Sequence, residues 1–86
     1  MSQVTIHQEV PRQITAGEWT LCFQRVTYHY DDPNDVPEDG YRFIWRRPDG
    51  SLQAARGQAR IPSLRAMNDL IKQATEDGFF KDESLV

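Results

Sequence analysis

Arg47-Pro48-Asp49-Gly50-Ser51 constrains this chain more than any other stretch. Proline presets φ at the first turn position, and the glycine after aspartate accepts the left-handed conformation. The pattern predicts a type I turn closed by a glycine bulge, in preference to a two-residue primed turn. A hairpin centred there places Arg46 opposite Leu52, Ile44 opposite Ala54 and Arg42 opposite Arg56. Side chains alternate across a strand, so both sheet faces follow from that register. One carries Tyr41, Phe43 and Trp45 with Ala55, Gly57, Ala59 and Ile61. The other carries Arg42, Ile44 and Arg46 with Leu52, Ala54, Arg56, Gln58 and Arg60.

A helix follows directly. Pro62-Ser63 supplies a strand stop and an N-cap. Leu64, Met67, Leu70, Ile71 and Ala74 recur at helical spacing, with Arg65, Asn68, Asp69, Lys72, Gln73 and Glu76 on the polar side. Gly78 is placed to end the helix in a left-handed residue, and Phe79 to make the apolar contact that accompanies such an ending. Residues 81–86 are expected to fray.

Upstream, Val4–Val10 alternates loosely and predicts a short strand ended by Pro11. Gln13–Gly17 is a turn. Glu18–Tyr30 is dense in aromatic and β-branched residues and predicts a long strand. Its parity changes midway: Trp19, Leu21 and Phe23 share one face, whereas Val26, Tyr28 and Tyr30 share the other. A bulge near Gln24-Arg25 would turn both sets inward, and without it one aromatic set faces solvent. Asp31–Gly40, with two prolines and a glycine, is an exposed loop. The expected fold is α+β: an antiparallel sheet of three to four strands in β-β-β-β-α order, with one C-terminal helix packed on one face. The second sheet face is then open or covered by a partner. The layout is similar in architecture to integrase arm-binding DNA domains, a likeness of arrangement without a shared motif.

Eighty-six residues predict one small domain over 1–86, burying about 60–65% of its unfolded surface. A 38% hydrophobic and 27% charged composition is that of a globular chain rather than a disordered one. Apolar runs are too short to cross a membrane, and MSQVTIHQEV lacks the basic and apolar regions of a secretory signal. The lone cysteine, Cys22, sits in an apolar run and is expected to be a buried, inert thiol in a cytoplasmic protein.

Net charge is −3, but its distribution says more. Residues 31–40 carry Asp31, Asp32, Asp35, Glu38 and Asp39 and no base. Residues 41–65 carry six arginines against Asp49. Such segregation steers partners or is neutralised within the fold.

Catalytic and metal motifs are lacking. His7 and His29 have no Cys or His at ligand spacing. The acidic loop lacks the alternating acids, central glycine and terminal glutamate of a calcium-binding hand. GxSxG, phosphate-loop and dinucleotide glycine patterns are absent, and no cofactor is implied. The expected function is a non-enzymatic protein-binding module acting through an open sheet face and the adjacent acidic loop, on another protein or a second copy of itself. The alternative is nucleic-acid binding through the arginine face, against which the acidic pI weighs. Candidate contact residues are Arg42, Arg46, Arg47, Arg56, Arg60, Asp31, Asp32 and Asp35. Trp19, Tyr28 and Tyr30 become anchors if the long strand runs without a bulge. Arginines free of internal carboxylates favour a phosphate ligand; arginines paired with Asp31–Asp39 point to an ordinary solvated face.

Overall fold

The computed structural model describes residues 3–53 and 59–81. Three strands, β1 (Gln3–Val10), β2 (Thr20–His29) and β3 (Glu38–Arg46), form an antiparallel sheet in the order β1-β2-β3 and are followed by helix α1 (Leu64–Glu76). The arrangement is α+β. Among the described residues the expected fourth strand amounts to one β-bridge, Arg46 opposite Leu52. The expected pairings of Ala54 and Arg56 lie outside the described residues.

The β3 turn forms as its sequence dictates. The Gly50 amide donates to the Arg47 carbonyl at 2.8 Å, and the Arg47 amide donates to the Ser51 carbonyl at 2.7 Å. Gly50 has φ +88°, so the bulge position needs glycine. The Asp49 carboxylate accepts from both the amide and the hydroxyl of Ser51, locking the turn from its own side chain.

Of the two alternatives for β2, the strand without a bulge is the one that forms. β2 pairs with β3 without a break from Thr20–Arg46 to Tyr28–Glu38. The irregularity falls in β1, where His7 is the extra residue between the Ile6–Val26 and Gln8–Arg25 pairs. An edge strand accepts an unpaired residue at the loss of one ladder, whereas a bulge in central β2 would disturb two. Phe23 therefore faces α1, while Val26 and Tyr28 face the other way.

α1 begins at the expected N-cap: Ser63 Oγ accepts from the Ala66 amide at 3.1 Å. It ends in paired hydrogen bonds, Phe79 N to Ala74 O and Gly78 N to Thr75 O, with Gly78 at φ +79°. This is the Schellman geometry. It turns Phe79 back into a core of Val10, Leu21, Phe23, Leu70, Ala74 and Phe79, flanked by Tyr41, Phe43, Trp45 and Phe80. Phe23 is the hub, with its ring centroid 4.6 Å from that of Phe43 and 5.8 Å from that of Phe79. Full burial of each such side chain contributes about 1.5–3 kcal/mol. Leu64, expected on the apolar stripe, is instead 74% exposed. No helix among the described residues is long and apolar enough to cross a membrane.

Candidate functional site

The cross-strand pairs define a helix face and an open face. On the open face lie Val4, Ile6 and Glu9 of β1, Cys22, Gln24, Val26 and Tyr28 of β2, and Glu38, Gly40, Arg42, Ile44 and Arg46 of β3. α1 packs on the opposite side. Cys22, Gln24, Val26 and Ile44 are nonetheless buried, roofed by the longer side chains of the same face.

One hydrogen-bonded chain organises this roof. Arg46 grips Glu9 through two donors, Nε to Oε2 at 2.8 Å and Nη2 to Oε1 at 2.7 Å, and its Nη1 donates to the Gly50 carbonyl at 2.6 Å. Glu9 Oε1 also accepts from Gln24 Nε2, and Gln24 Oε1 accepts from Arg42 Nε at 2.7 Å. Gln24 is 0% exposed, yet both ends of its amide are satisfied. Burial acts to raise the Glu9 carboxyl, but hydrogen bonds from Arg46 and Gln24 together with the Arg46 charge outweigh it and hold the group below its ordinary value. The neighbouring Cys22 thiol is pushed up to about 11, first by burial and then by the Glu9 charge.

The expected contact residues separate into distinct places. Arg42 and Arg46 share the open face, as the alternation predicts. Arg47 is occupied in the turn, where Nη1 donates to the Leu52 carbonyl at 2.7 Å. Arg60 lies outside any strand, and its carbonyl accepts from Trp45 Nε1 at 2.8 Å. Trp45 belongs to the helix face, so the backbone at Arg60 is tied to that side. Arg56 lies outside the described residues. The acidic loop is at the opposite end of the sheet from Arg46, eight residues away along β3, or about 26 Å. In it Asp32 accepts from the Asn34 amide, and Asp31 and Asp35 are exposed. Asp35 lines an open cleft of about 410 Å³ with Tyr30, Asn34, Val36 and Glu38. Tyr30 donates its hydroxyl to Glu38 at 3.3 Å. Trp19 and Tyr30 are 52% and 40% exposed, whereas Leu21, Phe23 and Val26 are buried, so neither apolar set of the unbulged β2 faces solvent as a whole.

Glu9 and Gln24, which hold the arginines in place, are not among the contact residues expected from the sequence. Gln24 gave a signal: it is the uncharged polar residue amid the apolar run Leu21–Val26. Among the described residues no three His, Cys, Asp or Glu side chains stand close enough to hold a metal ion. Comparison of the chain with protein-family models, curated proteins and solved structures gives no match.

Proposed function

We propose that the chain is a non-enzymatic protein-binding module of the cytoplasm whose working surface is the open sheet face, extended at one end by the acidic loop. One observation carries this reading. α1 packs on one face of the sheet, whereas among the described residues no helix or strand packs across the other, which keeps Ile6 39% exposed beside half-buried Val4 and Tyr28, around side chains already held in place by hydrogen bonds. An ordered surface mixing apolar and charged groups loses little entropy on docking. Nucleic acid is the weaker reading, because Arg46 is neutralised by Glu9 and the chain carries a net charge of −3.

Site-specific photo-crosslinking tests it, with the probe placed at Ile6 and, as a control, at exposed Lys72 on the helix. The expected result is a partner captured from Ile6 alone, whose binding as a purified protein is lost on Ile6→Asp. Equal capture from both positions, or a partner indifferent to Ile6→Asp, overturns the reading. Micromolar, salt-sensitive binding of labelled duplex DNA or single-stranded RNA that Arg42→Glu removes would assign the face to nucleic acid instead.

A further inference from the structure

Arg42 stands midway along β3 on the open face with its guanidinium half committed. Nε donates to Gln24 Oε1, while no described residue accepts from Nη1 or Nη2. Its orientation is imposed from beneath: Gln24 is wholly buried and held by Glu9, Glu9 is gripped by Arg46, and Arg46 is pinned to the Gly50 carbonyl. The Nη1–Nη2 edge, on which no described residue sits, can take a carboxylate in bidentate fashion. Glu9 and Arg46 cancel each other, so Arg42 carries the surplus positive charge of the cluster.

Four residues along the same face stands Glu38, about 13 Å away. Its carboxylate and that of Asp35 line the open cleft with the Tyr30 ring and no base. Between the two charged positions lies an apolar strip. The Tyr28 ring covers Gly40 so closely that a Cβ there would lie 3.2 Å from it, and Ile6 sits opposite Val26. Along β3 the face is therefore cationic, then apolar, then anionic.

We infer that the occupant of this face is an extended protein segment presenting a carboxylate to Arg42, an apolar side chain to the Tyr28–Ile6 strip, and a lysine or arginine to the cleft of Asp35 and Glu38. Those three side chains occupy alternate positions on one side of a strand, i, i+2 and i+4, because two residues of extended chain span about 6.6 Å. Both charges are complementary to the face, and the apolar residue lands where the sheet exposes apolar area. Arg42 acts as a pre-aimed anchor, its fork already held in one orientation. This inference rests on the protein-binding reading above.

A displayed library of random peptides, selected on the full chain, tests it. Enriched sequences should carry Asp or Glu and Lys or Arg four residues apart around an apolar residue. An enriched peptide, fluorescently labelled, should bind Arg42→Gln about 10–100-fold more weakly, the loss expected for a charge-assisted hydrogen-bonded pair. Arg42→Lys should recover only part of that affinity, because lysine lacks the fork. Arg42→Glu should prefer the peptide whose acid has been exchanged for lysine. Thermal unfolding of each variant separates lost contact from lost fold. Enrichment without this pattern, no enrichment at all, a preference for phosphopeptides, or binding indifferent to Arg42→Gln overturns the inference. A partner still crosslinked from Ile6 and lost on Ile6→Asp would leave the broader reading standing.

Discussion

Glu9 is the residue whose replacement tests the open face most directly. Its carboxylate accepts two hydrogen bonds from Arg46 and one from Gln24, and the paired side chains are only 19% and 23% exposed. Removing one partner of a fully buried pair costs about 3–5 kcal/mol, whereas an exposed pair contributes about 0–1 kcal/mol. With about a fifth of each side chain still in water, Glu9→Ala should fall between these limits, at about 2 kcal/mol, because Arg46 and Gln24 both lose an acceptor. In a domain of this size that lowers the melting temperature by about 8–16 °C. Glu9→Gln keeps the shape and one acceptor and should cost about half as much. The pH dependence is the sharper readout. Since the native carboxyl binds its proton more weakly than the unfolded one, acid favours the unfolded chain. The contribution of the pair is fully present above the ordinary value of 4.5 and is lost as pH falls through the lower native value. Urea unfolding followed by circular dichroism at pH 7, 4.5 and 3 should therefore show the gap between wild type and Glu9→Gln closing on acidification. A gap that stays constant over that range would refute the assignment of Glu9 as a charged anchor.

Three further outcomes follow from geometry. Cys22, buried and raised to about 11, should resist a thiol reagent at pH 8 in the folded protein and react within seconds in denaturant; fast labelling of native protein would show that the open-face roof opens readily. Ser63→Ala removes the hydrogen bond to the Ala66 amide and should cost about 1 kcal/mol by urea unfolding at unchanged m-value. Gly50→Ala places a Cβ at φ +88° and 3.4 Å from Ile14, so it should destabilise by about 1–2 kcal/mol, with Gly50→Asn milder; equal stability of Gly50→Ala by thermal unfolding would refute the bulged turn.

Much of the fold was legible where local chemistry is decisive. Pro48, Asp49 and Gly50 specify their turn, and Ser63 and Gly78 mark the two ends of α1, because each acts through its own φ or a hydrogen bond within a few residues. The position of the bulge was not legible. Parity in Leu21–Tyr30 shows that two apolar sets point opposite ways, but one strand cannot reveal that the accommodating residue is His7 on its neighbour. The site divides in the same manner. Alternation placed Arg42 and Arg46 on one face, yet their partners Glu9 and Gln24 come from two other strands, and that pairing depends on register across the sheet. Extending the hairpin beyond Gln53 predicts Arg60 on the same face, but Arg60 lies outside any strand and its carbonyl accepts from Trp45 of the helix face.

His7 gives β1 a spare residue. On either side of it the strand keeps its own frame: Val4 and Ile6 belong with Val26 and Tyr28, and Val10 belongs with Phe23. Deleting His7 would join the two frames without moving any of these side chains to the other side, so the core would survive the loss. The strand would also straighten, and its outer rim of amide and carbonyl groups would become a flat template for a neighbouring molecule. On this geometry the extra residue at His7 serves the shape of the sheet edge rather than the packing of the core.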